Sequence, residues 1–230
     1  KALHYVTRKA YDDILVSPRV KDGSMQGSST ATPTEQVAAL PGQEDTGVKQ
    51  SADIALAQKV LELKLVNDRR TAAPGILRLQ TMTLDGRVIH EKTKRVSLPK
   101  NCAIDVETLR VSDLLGGEQS DDVFFYITYS TGGKTYYNIA YPERQKDMKY
   151  RKPHFSTKVS PVADGFSVSI TSDIFARAVF LKTRGIWDFF SDNYFDLLPG
   201  EERTLTVRTT KPLSQFKQEL EITSLGDTYK

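Results

Sequence analysis

The sequence predicts an all-β fold that consists of two tandem β-sandwich domains. Three observations predict it: short stretches in which apolar and polar residues alternate, turn residues between those stretches, and a charged break at residues 141–147. Alternation places one face of a strand against a core and the other in water, because successive side chains of a strand point to opposite faces. The break predicts a first domain at 13–147 and a second domain at 148–230.

The first domain shows the alternation most clearly in one strand. Leu61, Leu63 and Leu65 alternate with Glu62 and Lys64, so one face is apolar and the other is mostly polar. Further strands are predicted at 14–16, 76–80, 104–106, 123–129 and 135–140, with a turn at Gly132-Gly133. A hairpin turn at Asp85-Gly86, between Met82 and Ile89, predicts one more strand after it. About seven short strands joined by such turns are typical of an immunoglobulin-like sandwich.

The second domain has the same pattern over fewer residues. Phe166, Val168 and Ile170 form an alternating apolar face directly after a turn at Asp164-Gly165. The predicted strands lie at 154–159, 166–171, 178–182, 204–209 and 218–223, and a further turn is predicted at Pro199-Gly200. We therefore expect a second, smaller sandwich.

Two segments do not fit the sandwich pattern. Residues 1–12 carry apolar residues at the spacing of one helical face, and such a short helix is marginal without a partner, so they are predicted to be the tail of a preceding domain. Residues near 21–57 are rich in Gly, Ser, Thr and Pro and lose hydrophobic periodicity. This composition predicts a long loop or a flexible insertion within the first domain.

Charge and composition exclude several classes of partner. The chain has 32 Lys and Arg against 29 Asp and Glu, whereas nucleic-acid binding needs a concentrated basic face. The basic clusters Arg69-Arg70 and Lys92-Lys94-Arg95 stand beside turn-like residues and are predicted to be solvated loop ends. No apolar run approaches the ~20 residues that cross a bilayer. We therefore expect neither nucleic acid nor a membrane as a partner.

The sequence offers no recognisable catalytic or metal-binding set. The three histidines lie in separate segments, without further ligands at metal spacing (His4, His90 and His154). The single cysteine, Cys102, excludes an internal disulfide and a cysteine-based zinc cluster. The adjacent carboxylates Asp121-Asp122 and Glu201-Glu202 would point to opposite faces of a strand, whereas a glycosidase pair converges across a sugar. We predict no catalytic residue, no metal and no cofactor.

The stretch 186–201 combines aromatic and acidic residues, and three interpretations are open. In the first, Trp187 or Tyr194 stacks on a sugar ring through its aromatic face. In the second, oxygen-bearing side chains form a calcium loop, although the spacing of an EF-hand is absent (Asp188, Asp192, Asn193 and Asp196). In the third, apolar residues plug one end of the sandwich while the polar side chains cap turns (Phe190, Phe195, Leu197 and Leu198). We favour the third interpretation.

Two parts of the chain resemble one known family. Residues 191–201, Ser-Asp-Asn-Tyr-Phe-Asp-Leu-Leu-Pro-Gly-Glu, closely resemble a segment near the C-terminus of the β-mannosidases of glycoside hydrolase family 2. Residues 1–5 and 8–11, Lys-Ala-Leu-His-Tyr and Arg-Lys-Ala-Tyr, look like the last helix of that family's catalytic (β/α)8 barrel. The order of barrel end, one immunoglobulin-like domain and then a second also matches the family. The Ser/Thr/Gly-rich insertion after Lys21 departs from it.

The resemblance implies an accessory, structural role for this chain. An enzyme of this family is implied to release terminal β-linked mannose with retention, through two barrel glutamates that precede Lys1 in the family's order. The chain would then be non-catalytic and pack on the barrel. The alternatives are a carbohydrate-binding module with sugar contacts at Trp187 and Tyr194, or the trailing domains of another family 2 enzyme, such as an exo-glucosaminidase or a β-galactosidase. The resemblance implies a periplasmic, secreted or lysosomal parent.

Overall fold

The computed structural model describes residues 12–22, 56–184 and 188–228. The predicted barrel helix at 1–11, most of the predicted insertion and Trp187 lie outside the described residues. Within the described ranges, the chain is built mainly of antiparallel strands with a few short helices, which confirms the all-β prediction. In this part of the chain no helix is long and apolar enough to span a bilayer.

The first sandwich pairs a three-stranded sheet with a four-stranded sheet. Its elements are β1 (Ile14–Asp22), β2 (Lys59–Asn67), β3 (Ala73–Thr83), β4 (Val88–Leu98), β5 (Cys102–Arg110), helix α1 (Val111–Leu114), β6 (Val123–Thr131) and β7 (Lys134–Ala140). The described strands are ordered β1-β2-β5 in one sheet and β4-β3-β6-β7 in the other. A division into three and four strands is that of an immunoglobulin-like domain.

The apolar face of β2 forms the centre of the first core. Leu61, Leu63 and Leu65 are at most 4% exposed, and they share one cluster with Leu79 and Ile127 of the facing sheet. Burial of each leucine stabilises the fold by about 1.5–3 kcal/mol. The face that the sequence predicts to be buried is therefore the one that holds this sandwich together.

β1 extends further than the sequence predicted. The predicted insertion begins near Lys21, but Lys21 and Asp22 still belong to β1, where they pair with Val60 and Lys59 of β2. Lys21 also forms an ion pair with Glu62 of β2, at 2.6 Å between Nζ and Oε2.

The second sandwich repeats the arrangement with shorter strands. Its elements are β8 (Phe155–Val162), β9 (Gly165–Ser172), β10 (Ala176–Lys182), β11 (Phe189–Phe190), β12 (Phe195–Leu197), β13 (Arg203–Arg208), helix α2 (Leu213–Glu219) and β14 (Glu221–Thr223). The described strands are ordered β11-β13-β9-β8 and β12-β10-β14. Phe166, Val168 and Ile170 of β9 are buried, as the alternation predicts.

The predicted strand at 218–223 is wrong in its first part. Residues up to Glu219 belong to α2, and only Glu221–Thr223 form a strand. The spacing of Leu213, Phe216 and Leu220 allows all three to lie on one helical face, and the packing of that face against the core selects the helix. Phe216 is fully buried, and its ring centroid lies 4.7 Å from that of Phe166.

The basic cluster Lys92-Lys94-Arg95 does not lie at a loop end, so that prediction is wrong. These residues belong to β4, which is an edge strand of its sheet. Lys92 forms an ion pair with Glu107, and Lys94 Nζ donates to the carbonyl oxygen of Val106 at 3.0 Å, both across to β5. The lysines therefore close the gap between the edges of the two sheets, and charge on an edge strand also discourages pairing with another chain.

A third core lies between the two sandwiches. Its buried members come from the first sandwich, the connection and the second sandwich (Met82, Leu84, Phe124, Met148, Tyr150 and Phe175). The rings of Phe124 and Phe175 stack with their centroids 4.3 Å apart. The backbone N–H of Phe175 donates to the carbonyl oxygen of Leu84 at 2.8 Å. The two sandwiches therefore pack against each other, and the predicted boundary at 147/148 stays a prediction.

Candidate functional site

The segment that the sequence singled out lies at the junction of the two sandwiches. Its apolar residues divide between two cores. Phe190, Phe195 and Leu197 are buried in the core of the second sandwich, whereas Leu198 packs against the core between the domains. The arrangement agrees with the end-plug interpretation for the first three residues. Leu198 instead contributes to the contact with the first sandwich.

Asn193 acts as a substitute for a strand partner of β10. Its side chain is 5% exposed, and its Nδ2 donates to the carbonyl oxygen of Leu181 at 2.8 Å. The N–H of Leu181 donates to Asn193 Oδ1, also at 2.8 Å. One amide side chain thus satisfies both polar groups of a buried peptide residue, which would otherwise be costly to leave unpaired.

The three aspartates of the segment are each engaged by a cation. Asp192 accepts a hydrogen bond from Arg203, and Asp196 accepts one from Arg177 and another from the N–H of Ala178 at 3.0 Å. Charge-assisted hydrogen bonds of this kind are stronger than neutral ones.

Asp188 is held in the same way, by a lysine of its own domain. Lys211 Nζ lies 2.7 Å from Asp188 Oδ2 and 2.7 Å from Glu219 Oε2, and Thr183 also donates to Asp188. Burial alone would raise the pKa of Asp188, but the hydrogen bonds from Lys211 and its neighbours outweigh burial and lower it.

These contacts argue against the calcium interpretation. All four oxygen-bearing side chains, at positions 188, 192, 193 and 196, already bind protein donors. Among the described residues there is also no group of three or more His, Cys, Asp or Glu that could hold a metal ion. A calcium ion needs several oxygens free to turn toward it.

The two arginines extend from the second sandwich to tyrosines of the first. The guanidinium carbon of Arg177 lies 5.1 Å from the ring centroid of Tyr141, and Arg203 Nη1 lies 3.4 Å from the hydroxyl oxygen of Tyr137. Burial opposes the charge of Arg177, yet the carboxylate of Asp196 overcomes it, so the pKa of Arg177 is raised. Burial also disfavours the charged form of Tyr141, which raises the pKa of its hydroxyl and keeps it neutral at any physiological pH.

Of the two predicted sugar contacts, the structure describes only Tyr194. Its side chain is half-buried and stacks on Phe180, with ring centroids 4.7 Å apart and an interplanar angle of 24°. Its φ of 56° lies in the left-handed region, which is uncommon for a residue other than glycine. Trp187 lies outside the described residues. A role of these two residues in sugar binding stays a prediction.

The acidic pair Asp121-Asp122 does not converge on a shared site. Asp121 pairs with Lys149 at 3.1 Å, and Asp122 lies 3.7 Å from Arg151. Burial raises the pKa of Asp122, and Arg151 partly counteracts that rise. Glu201 and Glu202 are exposed, between the turn at 199–200 and β13. The structure therefore places both pairs in structural or solvated settings.

Sequence reasoning missed the residues of the first sandwich that complete this site. β7 carries large side chains on both faces: Tyr136 is buried in the first core, while Tyr137 and Ile139 point the other way. A strand with apolar residues on both faces is typically covered on both sides. That pattern was the available signal that a second domain packs on this sheet.

Comparisons with known proteins agree with this division into two sandwiches. Residues 59–147 match the model of the mannosidase Ig/CBM-like domain, and residues 150–228 match the model of the mannosidase Ig-fold domain. A comparison with curated protein sequences finds no match.

Among solved structures, one mannosidase shares the fold of this chain. The β-D-mannosidase of Dictyoglomus thermophilum is similar over 98% of this chain, with a TM-score of 0.66 and 15% identity, and the chain spans 23% of that enzyme's length. An exo-chitosanase of Amycolatopsis orientalis aligns with 71% of this chain, and the aligned part is 24% of the exo-chitosanase; the TM-score is 0.46 and the identity 15%. Two mannosidase domain models match adjoining parts of the chain, and the fold is shared with a mannosidase over almost the whole chain. This chain therefore belongs to the tandem immunoglobulin-like domains of the mannosidase-type glycoside hydrolases.

Proposed function

We propose that this chain is the non-catalytic C-terminal part of a β-mannosidase-like enzyme of glycoside hydrolase family 2. In this proposal, residues 13–147 and 148–230 form a rigid pair that supports the catalytic barrel. The parent enzyme releases terminal β-D-mannose from β-mannosides with retention. Support comes from the two mannosidase domain matches and from residues 191–201, which resemble the end of that family.

The observation that carries the supporting role is the core between the two sandwiches. Phe124 and Phe175 are at most 2% exposed, although they lie on the outer surfaces of their own domains. Domains joined by a linker alone move relative to each other unless an apolar interface fixes them. A pair fixed in this way can present one continuous surface to a barrel.

The chemistry of the described acidic residues fits a non-catalytic part. A retaining glycosidase needs two carboxyl groups about 5–5.5 Å apart on either side of the scissile bond. Three partly or fully buried carboxylates of the segment, at Asp188, Asp192 and Asp196, are neutralised by Lys211, Arg203 and Arg177 within their own domain. Such pairs stabilise a fold, and they leave none of these three carboxyl groups free to protonate a leaving group.

The proposal is tested on the parent enzyme and on a version that ends before Asp12. The parent should hydrolyse aryl β-D-mannoside in preference to aryl β-D-glucosaminide and β-D-galactoside. The shortened version should lose thermal stability, and addition of the purified chain should restore part of it. A shortened version as stable as the parent would remove the supporting role. A parent that prefers the glucosaminide or the galactoside would assign the chain to another enzyme of the family.

A further inference from the structure

Two carboxylates of the segment 192–201 each hold an arginine that contacts the first sandwich. Asp196 is hydrogen-bonded to Arg177, whose guanidinium lies over the ring of Tyr141 in the connection after β7. A guanidinium within about 6 Å of a tyrosine ring is attracted to its face. Asp196 thus holds the guanidinium of Arg177 in position against Tyr141.

The second carboxylate is arranged in the same way. Asp192 is hydrogen-bonded to Arg203, whose guanidinium carbon lies 4.5 Å from the ring centroid of Phe195, while its Nη1 lies 3.4 Å from the hydroxyl oxygen of Tyr137. The Arg203 side chain is held between a ring of its own domain and the tyrosine of β7. The side chains of Asp192 and Arg203 are 22% and 27% exposed, so solvent screens this pair less than it screens a surface pair.

The rest of the segment contacts the first sandwich as well. Leu198 packs into the core between the domains, and Pro199 lies directly against Gly86 in the β3–β4 turn, where a Cβ on the glycine would be 2.7 Å from that of Pro199. The pKa of Tyr126 in β6 is raised to about 12, mainly by burial and also by the negative charge of Glu201. Contacts with the first sandwich, direct or through an arginine, therefore recur from Asp192 to Pro199.

We propose that residues 192–201 form an interdomain latch whose partner is the outer face of the β6–β7 side of the first sandwich. Asp192 and Asp196 are its positioning residues, since each acts through an arginine. Apolar burial holds the two sandwiches together, but it is non-directional and does not by itself select one angle between them. The two aspartate–arginine–tyrosine contacts are directional, and they fix the angle between the sandwiches.

The latch goes beyond the proposed function, because it concerns this chain alone and does not depend on what the parent hydrolyses. It also explains Asp192 and Asp196 without a metal ion or a bound sugar, since both act through contacts between the domains. In this proposal, residues 191–201 resemble the family because they form the contact between the two sandwiches.

The test measures the distance between two spin labels, one on each sandwich. Cys102→Ser removes the single native thiol, and Thr93→Cys and Ser156→Cys place labels at exposed positions of β4 and β8. In this background, the unaltered latch should give one narrow distance distribution. The double variant Asp192→Asn with Asp196→Asn should give a broader or shifted distribution.

Asp188→Asn is the matched control, since it removes a carboxylate of the same region that pairs with Lys211 inside the second sandwich. It should leave the distribution unchanged. Arg177→Lys together with Arg203→Lys keeps both charges but loses the guanidinium contacts, and it should broaden the distribution as the aspartate variants do. Circular dichroism identifies any variant that does not fold. An unchanged distribution in both folded double variants, or an equal change in Asp188→Asn, would overturn the latch.

Discussion

Replacement of Phe175 by alanine tests whether the two sandwiches share a core. The side chain is 2% exposed and stacks on Phe124 of the other domain, with ring centroids 4.3 Å apart. Truncation of a phenylalanine in a packed core costs about 3–5 kcal/mol. For a chain of this size, each kcal/mol lowers the Tm by about 2–4 °C, so Phe175→Ala should lower it by about 6–20 °C.

The size of the effect separates two arrangements of the domains. If the sandwiches did not touch, Phe175 would lie on the surface of the second one, and its truncation would cost at most about 0.5 kcal/mol. Phe189→Ala is the control, because Phe189 is 54% exposed on β11 and should show that small effect. Differential scanning calorimetry and urea unfolding measure both variants.

A double-mutant cycle between Phe124→Ala and Phe175→Ala completes the test. Residues in contact show coupling energies of about 0.5–3 kcal/mol, whereas residues without contact are additive. Phe175→Ala with a Tm within 2 °C of the unaltered chain, or additive effects in the cycle, would refute the shared core.

Three further predictions concern single residues. A hydrogen bond from Arg69 is the main cause that lowers the pKa of Asp13 to about 2, so its contribution is complete above pH ~4 and is lost as the pH falls through 2. Because Asp13 is partly exposed, Asp13→Asn should cost about 1 kcal/mol at pH 7 in urea unfolding, and this difference should shrink toward pH 2; a constant difference would contradict it. Asn193→Ala should lower stability by about 1–3 kcal/mol, measured by the urea midpoint, because the buried N–H and carbonyl of Leu181 lose their partners; a midpoint equal to that of the unaltered chain would show that they find others. Titration with mannobiose should leave the tryptophan fluorescence unchanged, whereas a saturable change that Tyr194→Ala abolishes would favour the sugar-binding alternative.

The strands and their buried faces could be predicted from the sequence because alternation is a local signal. Leu61, Leu63 and Leu65 show their buried face without any knowledge of the facing sheet, and all three are buried. One part of the fold that this reasoning missed is helix α2. Over so few residues, the spacing of Phe216 and Leu220 suits a short helix or the start of a strand, and tertiary packing decides between them.

The candidate site could be located from the sequence but not interpreted in full. The unusual combination of acidic and aromatic residues at 186–201 pointed to the segment whose described part lies at the junction of the two sandwiches. Its partners Arg177 and Arg203 lie outside that stretch, and Tyr137 and Tyr141 belong to the other side of the junction. Contacts between residues so far apart in sequence are set by the packing of whole domains, which no local pattern records.

The most direct test of the accessory role is an activity measurement on the purified chain. The chain is incubated with aryl β-D-mannoside beside the full-length parent, at equal molar concentration and over a range of pH. We expect hydrolysis by the parent and no hydrolysis above the buffer rate by the chain. Turnover by the chain that is lost on substitution of one of its own carboxylates, with Asp188, Asp192 and Asp196 examined first, would contradict the account.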